Sequence, residues 1–482
     1  MMEYLLWTLM GTVYGFVMGI VPVAGAATAL VTLFPFIDVF RADPYTLVCF
    51  TTAIVVASTI GDSFSSIVLN IPGASGSAAS MVDGFPLAQQ GQAARALSAA
   101  ITTSTVNGAI WGVLVFAFLP WYAAVVLHFG IPEMLMFLLL AFVSVVFVNS
   151  HYWFRGILAL VLGVFVGLIG QDPITGAARY TAGWDYLAAG VQMVPVLAGV
   201  LAMPELLAAW RTGHVLPRTA HGSWQQIVQG MRDSWQHRWD GLRGGAIGAV
   251  VGIIPGIGGA VADWLAYGQT VAANPREKTV FGEGNIKGVI GAEGSNNAQK
   301  ATSYVPTILF GVPGAPFEVI IIALFVMVGL ELGTPLLLAD TQFFTAIGAS
   351  YAVALAVTFV LAMLFVRRAQ QLMSVPVSWY FWPVLAVLIW SSVQYTGYWE
   401  DYAVLAMCCV LGVVMKWGRF SRAAFIIGFA LSDQLEKVWY QYHTLYGVWD
   451  WLNRPLALGL AATALVVAVW GLFFNRSKIS YT

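Results

Sequence analysis

Apolar runs about as long as a membrane is thick recur along this chain, and they constrain its fold more than any other feature. Residues 343–366 and 456–474 are two of them, each near the roughly 20 residues that an α-helix needs to cross the hydrocarbon. Of the 482 residues, 59% are hydrophobic and 9% are charged. Soluble domains carry about 25% charged residues, so the sequence describes an all-α polytopic membrane protein. A net charge of −1 gives no sign of a nucleic-acid partner. The first apolar segment has neither a basic leader nor a small-residue cleavage site, so no removable signal peptide is expected. Cys49, Cys408 and Cys409 stand in apolar surroundings without metal-ligand spacing and read as small core residues. The six histidines form no ligand set. With no Ser/His/Asp grouping and no phosphate loop in view, neither an enzyme nor a bound cofactor is expected.

Against this apolar background, residues 288–314 stand out. They combine Glu293, the adjacent amides Asn296 and Asn297, and the helix breaker Pro313-Gly314. Non-helical backbone and buried polar groups are costly at membrane depth, and are kept only where protein or a water-filled cavity satisfies them. Similar punctuation occurs early in the chain. One stretch reads Gly19-Ile-Val-Pro22-Val-Ala-Gly25, and another Asn70-Ile-Pro72-Gly73-Ala-Ser75-Gly-Ser77. Asp83-Gly84-Phe85-Pro86 then reads as a turn. Four spans are expected at about 99–127, 131–148, 156–169 and 186–203. Residues 211–243 hold five arginines, with Trp224, Ile227, Met231, Trp235, Trp239 and Leu242 at helical steps. That pattern suits one helix lying in the membrane interface, or a plain linker.

The motifs return in the same order. Gly252-Ile-Ile-Pro255-Gly256-Ile-Gly258 matches the pattern around Pro22 at an offset of 233 residues, and Gly311-Val-Pro313-Gly314 echoes the Pro72 stretch at an offset of 241. Two motifs displaced by nearly the same distance suggest an internal duplication. It divides the chain into a first half (1–210), the linker helix (211–243) and a second half (244–482). Basic residues collect on the cytoplasmic side of membrane proteins. Arginines ending at Arg243 precede the second copy, whereas only Glu3 precedes the first. The copies therefore read as inverted, although Arg276-Glu277-Lys278 would then face outward. Inverted repeats with paired broken helices point to a secondary transporter, here of elevator-like type, with its site near the midplane. The Pro22 and Pro255 tips are expected to approach the Pro72 and Pro313 tips there.

The chemistry of such tips is physical. A half-helix N-terminus offers free N–H groups to an anion, and the carbonyls left at the other end suit a hard cation such as Na⁺. Candidate substrate-binding residues are Pro22, Gly25, Asn70, Pro72, Gly73, Ser75, Pro255, Gly256, Gly258, Asn296, Asn297, Pro313 and Gly314. Asp62, Glu293, Asn297 and Thr302 are the cation-site candidates, for Na⁺ or alternatively H⁺, and no other metal is expected. Each carboxylate has a structural rival reading. Asp62, Asp263, Glu293 and Glu318 could each cap a helix N-terminus, and for Asp62 the capping role is the favoured one. Lys287 and Lys300 are the only side-chain cations near enough to pair with an anion. A channel lined by half-helices, or an anion carrier that works alone, stays open as the alternative.

At these residues the sequence resembles the large membrane subunit of tripartite tricarboxylate transporters. The shared motifs are Gly19 to Gly25, Leu69 to Gly73, Asp83 to Pro86, Gly252 to Gly258, Glu293 to Ala298 and Gly311 to Gly314, in order along nearly the whole chain. The resemblance implies a permease that imports carboxylates across a bacterial inner membrane on an ion gradient. It also implies two partners, a small membrane subunit and a periplasmic solute-binding protein, and leaves open whether the permease forms a homodimer. The sequence departs from the family pattern at Val23, where glycine is usual, and at Asp62, where a small residue is usual. It departs again between Pro86 and Arg95, where glutamine stands in place of arginine.

Overall fold

The computed structural model describes residues 2–21, 25–70, 77–126, 128–148, 152–172, 175–212, 222–330, 332–333, 341–369, 377–394 and 397–474. Helices α1 (Met2–Ile20), α2 (Gly25–Val31), α3 (Pro44–Leu69), α4 (Ser80–Leu87) and α5 (Ala93–Val126) come first, followed by α6 (Ile131–Phe147) and α7 (Trp153–Gly167). A two-residue antiparallel pairing of Gly170–Gln171 with Ala178–Arg179 precedes the short α8 (Asp185–Ala188), α9 (Met193–Leu197) and α10 (Met203–Thr212). Then come α11 (Trp224–Gln236), α12 (Arg238–Ile253), α13 (Gly259–Ala273), α14 (Ile286–Phe310) and α15 (Pro316–Met327). The chain closes with α16 (Thr341–Val366), α17 (Val377–Gln394), α18 (Glu400–Trp417), α19 (Arg422–Leu445) and α20 (Pro455–Phe474).

Among the described residues, four helices are long and apolar enough to cross a membrane: Pro44–Leu69, Ser80–Phe118, Gln342–Val366 and Pro455–Leu472. They differ in what surrounds them. The Pro44–Leu69 span is wholly covered by protein, whereas α20 leaves most of its apolar side chains exposed, as a lipid-facing helix does.

Two buried helices, α3 and α14, organise the rest. Both begin with an Asx cap: the Asp43 carboxylate accepts the Tyr45 N–H at 3.0 Å, and the Asn285 side chain accepts the Lys287 N–H at 3.0 Å. Both end on a left-handed residue, Asn70 with φ 57° and Gly311 with φ 65°. Asn and Gly are the residues that occupy that region at least cost.

Each is clasped by one glycine-lined helix. Gly11, Gly15 and Gly19 of α1 lie so near α3 that an added Cβ would come within 2.5 Å of Phe50 O, 2.6 Å of Ile54 Cα and 2.3 Å of Ser58 O. On α12, Gly244, Gly248 and Gly252 meet α14 in the same way, at 2.1 Å from Gly291 O, 2.3 Å from Ser295 O and 2.6 Å from Gln299 O. Small residues four apart let two backbones approach this closely. Helix α5 packs on α14, and α16 on α3.

The structure corrects several sequence expectations. The Asp83–Pro86 turn is helical and forms half of α4, with Pro86 inside the helix, where its fixed φ is helical although it forgoes one backbone bond; the bend comes at Gly91, with φ 78°. The span expected at 186–203 starts late: a short turn at Asp185–Ala188 comes first, and from Met193 the helix runs on through a π-helical segment at Ala198–Ala202. The helix expected over 211–243 divides at His237 into α11 and α12. Its expected apolar face divides too: Ile227 turns inward against α5, while Trp224, Met231, Trp235 and Trp239 are exposed. Residues 213–221 lie outside the described residues.

Candidate functional site

Six polar residues of α14 fall on one face. Glu293, Asn296 and Asn297, Lys300, Ser303 and Thr307 recur at three- and four-residue steps, and all are buried. Residues at that spacing are neighbours on a helix surface. Helix α14 runs unbroken through the Asn pair to Phe310 and then opens at the breaker, the Pro313-Gly314 segment. On α3, Asp62, Ser63 and Ser66 make a shorter stripe, also buried. The two stripes touch: the Ser63 hydroxyl donates to Glu293 Oε1 at 3.0 Å.

Both central carboxylates lie inside helices, which removes the capping roles considered for them. Asp62 is deep within α3, whose cap is Asp43, and Glu293 is in the third turn of α14. Glu293 also accepts from Asn296 Nδ2 at 3.3 Å. Asn297 donates to Ser104 Oγ on α5 at 3.0 Å, its carbonyl accepts the Tyr351 hydroxyl at 3.1 Å, and its side-chain Oδ1 has no partner among the described residues. Thr302 bonds its own helix, to Ala298 O at 3.1 Å and Gln299 O at 3.2 Å, on the side that meets Gly252 of α12.

The second tip is held by Glu318, which does cap a helix. Its carboxylate, at the start of α15, accepts the Gly314 N–H at 2.5 Å, the Ala315 N–H at 3.1 Å and the Thr307 hydroxyl at 2.6 Å, and pairs with Ser303 as well. A Cβ on Gly314 would lie 3.7 Å from Gly252 O, so this tip reaches the end of α12. Pro255 follows that end. Gly256 (φ 79°) and Gly258 (φ 75°) then turn the chain into α13, with Gly256 against Ala141 of α6. In the first half, Gly25 opens α2 with φ 51° and Asn70 closes α3. Pro22, Val23, Pro72, Gly73 and Ser75 lie outside the described residues, and with them the expected meeting of the Pro22 and Pro72 tips.

Four further residues make long-range contacts that no local pattern announced. Asp83 of α4 is buried and accepts the backbone N–H groups of Gly282 (2.7 Å), Gly284 (3.1 Å) and Asn285 (2.8 Å), plus the Tyr267 hydroxyl at 3.1 Å. It ties the first stretch of the chain to the start of α14. Asp263, inside α13, accepts the Ala79 N–H at 2.6 Å. Ser104 and Tyr351 reach α14 from α5 and α16. These partners come from distant helices, and their only sequence signal is a hydroxyl or carboxyl among apolar neighbours.

The two candidate lysines separate. Lys287 pairs with Glu277 at 2.5 Å and Asn274 at 3.0 Å. Its ammonium, with the Asn285 amide, holds the Glu277 carboxyl below its usual range. Lys300 is buried within the stripe, its ammonium 4.3 Å from the centre of the Phe317 ring.

No solved structure matches the chain significantly. An uncharacterized 52.8 kDa protein of Agrobacterium vitis, from the TAR-I ttuC′ 3′ region, is 25% identical over 98% of this chain and 94% of its own length. A second uncharacterized protein of that organism, from the TAR-II ttuC′ 3′ region, is 26% identical over 39% of this chain and 78% of its own. A family model matches residues 5–427, and on that span, which takes in both buried helices and both glycine clasps, the chain belongs to the tripartite tricarboxylate transporter TctA family.

Proposed function

We propose that this chain is the permease subunit of a bacterial inner-membrane system that imports tricarboxylates or related organic anions. In this reading it works by cation-coupled secondary transport, with Na⁺ as the coupling ion and H⁺ as the alternative. A periplasmic solute-binding protein delivers the substrate and a small membrane subunit completes the assembly; the tripartite family implies such partners. Residues 1–210 and 244–482 are two inverted repeats joined through 211–243, and the buried helices with their tips move as an elevator past the lipid-facing helices.

The observation that carries this reading is the pair of facing polar stripes on α3 and α14, buried in a chain of a transporter family. Buried carboxylates and amides at membrane depth are expensive, and in a transporter they mark the ion and substrate path. Asn297, with an oxygen left unbonded beside a bonded amide, is the first candidate to touch substrate or cation.

Uptake of labelled citrate by cells carrying the three components tests the proposal. Saturable uptake that follows an imposed Na⁺ or H⁺ gradient and needs the binding protein is the expected result. Asn297→Ala should raise the half-saturation for citrate or for the cation by about tenfold, or 1.4 kcal/mol, at an unchanged protein level in the membrane. Current under voltage clamp that neither saturates nor couples to a gradient would instead make the chain a channel.

A further inference from the structure

Helix α11 is pinned on one side and open on the other. Its inner side meets the first turns of α5: Asp233 pairs with Arg95 at 2.5 Å, Ser234 with Thr103 at 2.6 Å, and Gln226 Nε2 donates to Gly91 O at 2.9 Å. A Cβ on Gly222, just before the helix, would lie 3.6 Å from the Cα of Arg367, the residue that follows α16. Helices α5 and α16 belong to two of the membrane-crossing candidates. On α5 the exposed apolar side chains run from Val106 to Phe118, beyond the turns that α11 covers. Helix α11 therefore stands where two spans end, at the level of the lipid headgroups.

Its outer side carries Trp224, Val228, Met231 and Trp235 at three- and four-residue steps, followed by Trp239 past the division at His237, and all five are exposed. Arginines fringe that stripe. Arg232, Arg238 and Arg243 are exposed, and the Arg238 guanidinium lies 5.5 Å from the centre of the Trp235 ring and 5.8 Å from that of Trp239. At the same end Arg367 and Arg368 are exposed, with Arg367 5.3 Å from the Trp224 ring. The carboxylates of this stretch, Asp233 and Asp240, are buried, and Asp240 reaches Arg243 at 3.9 Å. The 275–283 loop comes to the same end, where Gln90 Nε2 donates to Glu283 O at 2.8 Å, and its Arg276 and Lys278 offset its Glu277 and Glu283. The exposed charge beside the tryptophans is therefore net positive.

Tryptophan with arginine beside it is what helices at the boundary of water and lipid carry, and the guanidinium fork matches the oxygens of a phosphate. We propose that the outer face of α11 and the start of α12 binds anionic phospholipids of the cytoplasmic leaflet. Their phosphates meet Arg232, Arg238 and Arg243, and their upper acyl carbons meet Trp235 and Trp239. Basic residues gather on that side of a membrane, and its negative surface favours each nearby arginine by about fivefold in binding. The site stands apart from carboxylate transport: it seats α5, and through α12 the glycine clasp on α14, against the bilayer.

The test uses the full chain in lipid nanodiscs, with Cys49, Cys408 and Cys409 changed to alanine and a fluorophore on Val228→Cys, one turn from Arg232. The probes are phosphatidylglycerol and phosphatidylcholine, each with a nitroxide high on one acyl chain. Quenching at equal mole fractions gives their relative binding at this face. Phosphatidylglycerol should bind at least about tenfold more tightly. Arg232→Gln, Arg238→Gln and Arg243→Gln together should bring the ratio close to one while both lipids still quench. If that triple variant does not insert, Arg238→Gln alone should lower the ratio about fivefold. Equal quenching by the two lipids with the arginines intact overturns the proposal, as does a ratio that survives their replacement. So does quenching by iodide from the buffer but by neither lipid, which would put the face in water. A label that neither lipid nor iodide reaches would make the face an interface between copies of the chain, and would overturn it as well.

Discussion

Helices α3 and α14 are held alike and furnished differently. A shift of 241 residues carries Phe50, Ile54 and Ser58, which meet the glycines of α1, onto Gly291, Ser295 and Gln299, which meet the glycines of α12. The same shift carries the bonded pair Ser66–Ser77 (2.8 Å) onto Thr307–Glu318 (2.6 Å), and Asn70 onto Gly311. It also carries Val55 and Val56 onto Asn296 and Asn297, and Thr59 onto Lys300. The backbone clasp therefore fixes where the two helices lie, and leaves their facing stripes free to diverge. Whatever distinguishes one ligand from another belongs where the helices differ, and whatever sets their depth belongs where they agree.

The largest effect should come from breaking the clasp on either side. Gly15→Leu and Gly248→Leu each push a side chain into backbone, at 2.6 Å from Ile54 Cα and 2.3 Å from Ser295 O. Overpacking against side chains costs about 1–3 kcal/mol, and backbone yields less, so each should lose about 3 kcal/mol or more. The yield of monodisperse protein after detergent extraction measures it, and both variants should fall together. A severe loss at one position with tolerance at the other would show that the two clasps are not equivalent.

How much of this was legible in the sequence follows from the same division. The glycine and proline punctuation was visible because it acts locally: Gly256, Gly258 and Gly311 adopt positive φ at the breaks the motifs mark. Helix continuity through Asn296 and Asn297 is not visible in the sequence, since their amide N–H groups donate to Glu293 and Ser104 from within an intact helix. Asp62 was read as a cap because a carboxylate in an apolar run has few harmless places; the cap fell to Asp43, at the actual start of the helix. The reach of Asp83 to Gly282, Gly284 and Asn285 spans about 200 residues of chain, and no local pattern encodes it.

A middle-sized effect should separate the two tips. Glu318→Ala strands the Ala315 N–H, leaves the Gly314 N–H only a long contact with Thr307, and sends the Ser303 and Thr307 hydroxyls back to their backbone acceptors. Buried groups left unsatisfied cost about 1–3 kcal/mol, so a loss of about 2–3 kcal/mol is expected. Ser77→Ala, at the corresponding place in the first half, removes the hydroxyl that pairs with Ser66 and should cost about 1 kcal/mol. Thermal midpoints of the purified variants test the order. Equal losses would mean that the Glu318 bonds add little beyond a hydroxyl contact.

The smallest effect concerns Lys287, on the same helix as Lys300 and in the opposite situation. Its partner Glu277 is 43% exposed in its side chain, so water screens the pair, and such pairs contribute about 0–1 kcal/mol. The Glu277 carboxyl is held below its usual value by Lys287 and Asn285. A depressed acid stabilises the fold above its unfolded value, near pH 4.3. That contribution fades as pH falls through the lower folded value. Lys287→Met should therefore lower the thermal midpoint slightly at pH 7, and the difference from the unaltered chain should shrink as the pH drops below about 4. Ligand affinity should not move, since the ammonium is already engaged at 2.5 Å outside the stripe. Should Lys287→Met raise the half-saturation for citrate as much as Asn297→Ala does, Lys287 would belong to the ligand path, and the separation of the two α14 lysines, one ion-paired and one buried in the stripe, would fall.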